Sequence, residues 1–308
     1  MNQDQFVLSA IILGVLILLP LVVLGLVWWL VPAEDPIDSF VDEPDEQPGS
    51  LGDFWDGLKP HLVELRDRLV KAAIAIALGT SVGFWVVNDP LIPSPSPELP
   101  NLTLPDFMIQ QLTPPGTQLK AIQVGEIFLR YMNIALVIGI IIAMPVVVYQ
   151  LVAFFSPGLL NKEKRILYAS LPIVTELFLA GVTFGWFFTV PAALEFLLTY
   201  GNTAMIQTVP SADSFFDTVS TLLLWNGFIF ELPAIMYLLA RLHIVSTQML
   251  TSTRRYAIIA ITVIAALITP TGDPYNLLLL AVPMYLLYEL GIVLTRLVPV
   301  APVEPVAA

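Results

Sequence analysis

The stretch Pro60–Lys71, PHLVELRDRLVK, decides how the rest of this chain is interpreted, because it is heavily charged and stands directly before a long apolar run. At helical spacing its leucines share one face. Another face carries the histidine and charged residues His61, Glu64, Arg68 and Lys71. Two structures have this pattern: an amphipathic helix lying flat on a membrane surface, or an ordinary helix start whose charges mark one side of the membrane.

The composition indicates a protein with several membrane-spanning helices. Of the 308 residues, 57% are hydrophobic and only 12% are charged, and the mean hydropathy is +0.82. Soluble proteins carry about a quarter charged residues. The chain has no cysteine, which excludes disulfides and thiolate chemistry, and its two histidines are too few for a histidine metal cluster. We therefore expect no metal and no cofactor.

The net negative charge is concentrated in one segment. Nine of the 25 acids lie between Glu34 and Asp56, and without them the formal net charge would fall from −12 to −3. No basic surface suggests nucleic-acid binding. The acids, prolines and glycines predict that residues 33–57 form a flexible linker. The alternative is a docking site for basic partners.

The apolar runs predict an all-α fold with seven spans. The first, Phe6–Val31, is about 39 Å long as a helix and lacks the features of a signal peptide, so residues 1–32 are predicted to form a retained transmembrane helix. The other spans are predicted at about 70–87, 126–155, from beyond 165 to about 198, 215–240, 256–268 and 276–295. The proline-rich loop at 88–124 is predicted to hold at most one short helix.

Lysines and arginines predict the orientation. If Met1 lies outside, eleven of the 13 basic residues fall in inner segments, and only Lys120 and Arg130 fall outside. The opening stretch, the loop Ser156–Arg165 and the tail 298–308 are then cytoplasmic.

Two acids stand in basic surroundings on the predicted cytoplasmic side. Glu64 is spaced for an i,i+4 ion pair with Arg68, and Glu163 can be neutralised by the basic residues beside it. From the residues alone these structural roles are favoured. The functional alternative is that both carboxylates bind arginines of a partner, since carboxylate and guanidinium pair bidentately.

Three more acids, Glu176, Glu231 and Glu289, fall within predicted spans. An ionisable residue at membrane depth usually faces the bundle interior and marks a site or pathway. No Lys or Arg is predicted at comparable depth to pair with them. Glu231 is the best mid-membrane candidate, whereas Glu289 lies about two turns before Arg296 and could be a solvated residue at the inner rim.

No motif indicates an enzyme. The string HLVEL is not the zinc-binding motif HExxH, and the chain has no glycine-rich phosphate loop. His243 and Ser246 are three residues apart in a basic connector, which is more typical of a solvated turn than of a catalytic pair.

Several motifs of this chain resemble those of one protein family, and they occur along the chain in the same order as in that family. Pro60–Leu69 resembles the signature HLxELRxRL of the TatC family, the multi-spanning receptor subunit of twin-arginine protein translocases. The likeness continues through Pro145–Arg165, Gly181–Leu197, Phe230–Leu239 and Thr269–Ile292. It covers about residues 58–297 and implies a concave bundle of six helices, here with one additional amino-terminal transmembrane helix.

The resemblance also implies a function. TatC-like proteins recognise twin-arginine signal peptides on the cytoplasmic face of the bacterial inner membrane. They work with single-span TatA- and TatB-type subunits in oligomers, and export folded precursor proteins using the proton-motive force. By match to the family motifs, Glu64 and Glu163 would engage the arginines of the signal peptide.

The other implied roles follow in the same way. His61 and Arg66 would shape the binding patch, and Phe154 and Pro157 would order the adjacent loop. Glu231 would be the intramembrane acid facing the concave surface, and Asp273 the acid of the last outer turn.

Three features depart from the family pattern: the extra helix with its acidic linker, a long outer loop at 92–118, and Glu176. The extra helix is expected to be an anchor or packing helix, with a fused partner subunit as the alternative. Glu176 is either a pathway residue or hydrogen-bonded between helices. Two other functions remain open: a proton-coupled small-solute transporter that uses the three intramembrane acids as a relay, and a membrane scaffold.

Overall fold

The structure, a computed structural model, describes Gly14, Leu18, Leu21 and Gly25 and then most of the chain from residue 51. The described ranges are 51–90, 101–114, 117, 119–155, 161–200, 209–242, 244–269 and 273–298. Within the helices, the side chains at 51–58, 60, 155, 161–163, 165, 166 and 169 are not described.

The predicted all-α fold is confirmed, since the regular elements of the described ranges are helices. They are α1 (Leu51–Asn88), α2 (Leu104–Leu112), α3 (Glu126–Phe155), α4 (Asn161–Phe184), α5 (Val190–Thr199), α6 (Ala212–Phe230), α7 (Leu232–Arg241), α8 (Thr247–Ser252), α9 (Arg254–Ile268) and α10 (Pro274–Thr295). A π-helical turn, Gly185–Thr189, joins α4 to α5.

Five helical segments of the described chain are long and apolar enough to cross a membrane, and they match five of the predicted spans. They are His61–Asn88, Glu126–Phe154, Ser170–Thr199, Ala212–Arg241 and Pro274–Thr295. Helix α9 has 15 residues, about 22 Å, and is shorter than these, as the sequence predicts. The predicted first span lies outside the described residues apart from four helical positions.

The chain divides into two compact units, and each is described by itself. The first unit comprises residues 1–111 and 122–175, and the second comprises residues 112–121 and 176–308.

In the first unit, α1 and α3 pack backbone against backbone. Gly79 and Gly83 of α1 face Gly139 and Ala135 of α3, and a Cβ added to Gly79 would lie 2.5 Å from the carbonyl oxygen of Gly139. Small residues allow this close approach of membrane helices. Because α1 is one continuous helix from Leu51 to Asn88, the opening stretch belongs to the same helix as the span that follows and is not a separate surface helix.

In the second unit, prolines interrupt two spans. Pro191 has no N–H to continue the α-helical ladder, and the N–H of Val190 instead reaches the oxygen of Gly185, which produces the π-helical turn. Pro233 acts similarly between α6 and α7, where Glu231 is the linking residue. Both breaks place polar residues inside an otherwise apolar unit.

Candidate functional site

Glu64 lies on the charged part of α1, and the predicted ion pair with Arg68 is confirmed. Arg68 donates from Nε at 2.9 Å and from Nη2 at 2.5 Å, both to Oε1 of Glu64. The side chains are 28% and 24% exposed. The second carboxylate oxygen, Oε2, accepts no hydrogen bond from a described residue.

The residues around this pair are open to solvent. His61 is exposed, and Arg66 is paired with the adjacent Asp67 through a hydrogen bond of 2.9 Å from Nη2. This second pair is more exposed than the Glu64–Arg68 pair, at 70% and 55%. The described end of α1 therefore presents one half-buried carboxylate within an accessible set of charges.

The remaining residues predicted for this patch are only partly described. Glu163 lies in the first turn of α4, where the helix dipole favours a negative charge, but its side chain is outside the described set. Phe154 is half-buried near the end of α3, and Pro157 lies outside the described residues. Glu64 and Glu163 both belong to the first unit.

Glu231 is a buried carboxyl group in the second unit. It is the residue between α6 and α7 and is only 5% exposed. The group faces the backbone of Phe178, yet neither of its oxygens makes a hydrogen bond of acceptable geometry with a described residue. A buried carboxyl group without such partners is costly, which is typical of a functional position rather than a stabilising one.

A buried pair near the π-helical turn was not predicted from the sequence. The hydroxyl of Thr189 donates to Oδ1 of Asn226 at 3.2 Å, and Nδ2 of Asn226 donates to the carbonyl oxygen of Leu222 at 2.7 Å. Thr189 and Asn226 are 2% and 1% exposed. The signal available in the sequence was Pro191, whose missing N–H predicts a local break.

The prediction that no basic residue pairs with the intramembrane acids was wrong for Glu289. Arg254 donates from Nη2 to Oε2 of Glu289 at 2.7 Å, and the hydroxyl of Tyr285 donates to Oε1 at 2.8 Å. The pairing escaped prediction because 35 residues separate the partners. Only the return of the chain through α8 brings the start of α9 beside α10.

Glu176 has an exposed side chain on α4. It makes no hydrogen bond or ion pair with another described residue, so the predicted hydrogen bond between helices is not found in the described part of the chain. Asp273 caps α10, since its carboxylate accepts from the N–H of Asn276 at 2.8 Å and from Nδ2 of the same residue at 2.9 Å. The described residues contain no group of three or more His, Cys, Asp or Glu able to hold a metal ion.

Comparison with known proteins identifies the family. Residues 60–283 match the model of the family described as TatC, the Sec-independent protein translocase protein. The chain is 31% identical over 242 residues to the TatC protein of Carboxydothermus hydrogenoformans. This alignment covers 77% of this chain and 92% of that protein. It is 36% identical over 242 residues to the TatC protein of Deinococcus radiodurans, covering 77% of this chain and 84% of the relative.

A solved structure gives the same result. The crystal structure of a twin-arginine translocase receptor TatC superposes with a TM-score of 0.62 at 31% identity, covering 77% of this chain and 99% of the other. Residues 60–283, which match the family model, contain the ion-paired Glu64 and the buried Glu231. This chain is therefore a member of the TatC family, a multi-pass membrane protein that acts in Sec-independent, twin-arginine protein translocation.

Proposed function

We propose that this chain is the receptor subunit that binds twin-arginine signal peptides through Glu64 and Glu163 on the cytoplasmic face of the membrane. The observation that carries the proposal is the state of Glu64. One of its oxygens is held by Arg68, while the other accepts no hydrogen bond from a described residue. A half-engaged carboxylate at the end of a membrane-spanning helix suits the capture of a guanidinium group.

Exchange of arginines at Glu64 costs little. The Glu64–Arg68 pair is partly buried but local, and i,i+4 pairs on a helix contribute about 0.3–0.5 kcal/mol. A bidentate contact with an incoming arginine engages both carboxylate oxygens and is roughly twice as strong as a neutral hydrogen bond. Arg68 therefore orders the carboxylate in the empty receptor and is displaced, or shares the carboxylate, when the signal peptide binds.

The residues near the pair have supporting roles in this proposal. His61 is exposed and can contact the peptide, while Asp67 holds Arg66 and offsets its repulsion of a basic ligand. Phe154 and Pro157 order the loop that carries Glu163 into the patch. Glu163 lies in the first turn of α4, where the helix dipole favours a negative charge.

Glu231 is proposed to act within the membrane during transport, and Asp273 to order the outer turn. Glu289 is engaged by Arg254 and Tyr285, which supports a structural role and counts against a relay through Glu176, Glu231 and Glu289. The receptor function is therefore favoured over a proton-coupled solute transporter. The membrane scaffold has no observation in its favour.

The family and the charge distribution support a proposed setting for the receptor. The chain is proposed to lie in the bacterial inner membrane with Met1 outside and the tail 298–308 in the cytoplasm. It would assemble in oligomers with TatA- and TatB-type subunits, receive folded precursors with twin-arginine signals, and use the proton-motive force. Residues 1–32 and 33–57 would serve as anchor and linker for the core at 58–297.

Binding of a labelled twin-arginine signal peptide to the purified full chain tests the proposal. Glu64→Ala and Glu163→Ala should each weaken binding by about 10- to 100-fold, because each removes a charge-assisted contact. A twin-lysine peptide should bind less well than the twin-arginine peptide, since an ammonium cannot pair bidentately.

Two controls complete the experiment. Glu195→Ala removes an exposed acid from the middle of α5 and should leave binding unchanged. Deletion of residues 1–56 should also preserve recognition. Unchanged binding in both glutamate variants would refute the assignment of these two sites.

A further inference from the structure

The second unit carries four arginines at the ends of three helices, and we call this set the arginine rim. It consists of Arg241, Arg254, Arg255 and Arg296. Arg241 ends α7, Arg296 follows α10, and the other two begin α9. The charge count predicts that all three of these helix ends lie on the cytoplasmic side.

Packing places Arg241 and Arg296 at the same level. Gly291 of α10 lies directly against Met236 of α7, since a Cβ on this glycine would meet the Met236 sulfur at 2.5 Å. Arg241 and Arg296 are each five residues beyond this contact, about 7.5 Å of helix. By the predicted topology α7 and α10 run in the same direction, so both arginines reach the rim together.

Three hydrogen bonds attach α8 and the start of α9 to the same end of α10. Thr247 donates to the hydroxyl of Thr295 at 3.1 Å, and the hydroxyl of Tyr288 donates to the carbonyl oxygen of Leu250 at 2.8 Å. The third is the contact of 2.7 Å from Arg254 to the carboxylate of α10. These contacts bring Arg254, and with it Arg255, to the rim.

The rim carries more positive charge than the described residues neutralise. Glu289 pairs with Arg254, but Arg241, Arg255 and Arg296 form no ion pair with a described residue. The Nε groups of Arg241 and Arg254 are buried and have no hydrogen-bond acceptor among those residues. Because a buried donor without an acceptor is unfavourable, the rim is suited to a ligand that supplies anionic oxygens.

We propose that the arginine rim binds the phosphate of an anionic phospholipid headgroup. Arginine forks match phosphate oxygens bidentately, and basic pockets between membrane helices on the cytoplasmic side favour such headgroups. Exposed apolar side chains adjoin the arginines on their helices: Ile258 (48%) and Ile259 (61%) on α9, and Val293 (52%) on α10. The acyl chains of a lipid can cover these apolar side chains, whereas soluble phosphate cannot cover them. The proposal is independent of signal-peptide recognition.

The test measures lipid binding to the full chain in a neutral detergent by native mass spectrometry and by the shift in unfolding temperature. Phosphatidylglycerol should bind and raise the unfolding temperature, and phosphatidylcholine should do so much less. The double variant Arg241→Gln/Arg296→Gln should weaken phosphatidylglycerol binding by on the order of tenfold for each arginine removed. The matched control Lys59→Gln/Lys71→Gln removes two positive charges from α1 and should leave phosphatidylglycerol binding unchanged.

The conservative double variant Arg241→Lys/Arg296→Lys keeps the charge and the fold but loses the fork, and should show intermediate binding. Equal binding of both lipids, or of inorganic phosphate and phosphatidylglycerol, would overturn the proposal. Full binding by the Gln and Lys variants would do the same. A lipid shift that appears only after deletion of residues 1–50 would mean that the acidic segment of the chain occupies the rim, and would also overturn it.

Discussion

Both units contain close helix contacts at glycines, but they place the acids Glu64 and Glu231 in different surroundings. In the first unit, glycines such as Gly79 and Gly139 let two helix backbones touch, and Glu64 is paired within its own helix. In the second unit, proline breaks and contacts between distant residues create a polar interior that includes Glu231 and Asn226. Glu64 thus lies apart from the glycine contacts of its unit, whereas Glu231 lies inside the packed interior of the second unit.

This difference indicates which of the two carboxylates can exchange its hydrogen-bond partner for a ligand. Glu64 is partly exposed and held by a weak local pair, so a ligand can replace the partner at little cost. Glu231 is buried without a hydrogen-bond partner among the described residues, so a change in its surroundings is needed before it can meet a ligand or water. Four experiments test the contrast.

The largest effect is expected for Gly139→Leu in the first unit. Its Cβ would lie 2.5 Å from the backbone nitrogen of Thr80, so α1 and α3 could no longer pack. We expect a loss of about 3–5 kcal/mol in the free energy of unfolding, measured by thermal unfolding in detergent. Gly14→Leu, which meets no heavy atom within 4 Å, should have no effect. Similar unfolding of the two variants would contradict backbone-to-backbone packing.

Substitutions of Glu231 and Asn226 to leucine should change stability in opposite directions. Glu231→Leu removes a buried acid that lacks hydrogen bonds, and we expect about 1–3 kcal/mol of stabilisation together with a loss of export. Asn226→Leu removes hydrogen bonds to Thr189 and Leu222, and should destabilise by a similar amount. Chemical unfolding measures the stability of each variant, and an export assay measures its activity. Destabilisation by Glu231→Leu would show that this carboxyl group is satisfied.

Double-mutant cycles compare the ion pairs of the two units. The Arg254–Glu289 pair is 40% and 29% exposed and joins two helices, so its coupling free energy should be about 1 kcal/mol after screening by solvent. The Arg66–Asp67 pair is more exposed and joins adjacent residues, so its coupling should be close to zero. The cycles use neutral Gln and Asn variants in unfolding experiments. Equal couplings would remove this difference between the units.

The smallest effect is expected for Arg68→Gln. Loss of an i,i+4 pair should cost less than about 0.5 kcal/mol in stability. Because the incoming arginine no longer competes with Arg68, the twin-arginine peptide should bind roughly two- to threefold more tightly, as measured by fluorescence anisotropy. Weaker binding would show that Arg68 orients Glu64 rather than competes for it.

Local patterns predicted the features that depend on residues close in sequence. The apolar runs predicted five spans that the structure contains, and i,i+4 spacing predicted the Glu64–Arg68 pair. The same reasoning failed for the Arg254–Glu289 pair and for the contact between Thr189 and Asn226, whose partners are 35 and 37 residues apart. Periodicity contains no information on which helices become neighbours.

The sequence by itself determined the membrane class, the helices, the family resemblance and the local partner of Glu64. Each of these depends on hydrophobicity, helical spacing or contiguous motifs, which remain the same whatever the tertiary arrangement. Only the tertiary structure decided that Glu289 is an ion-paired residue, that Glu231 is buried without a hydrogen bond among the described residues, and that α10 packs against α7 where Gly291 meets Met236. The physical reason is that burial and pairing between distant residues follow from helix packing, which the linear pattern does not specify.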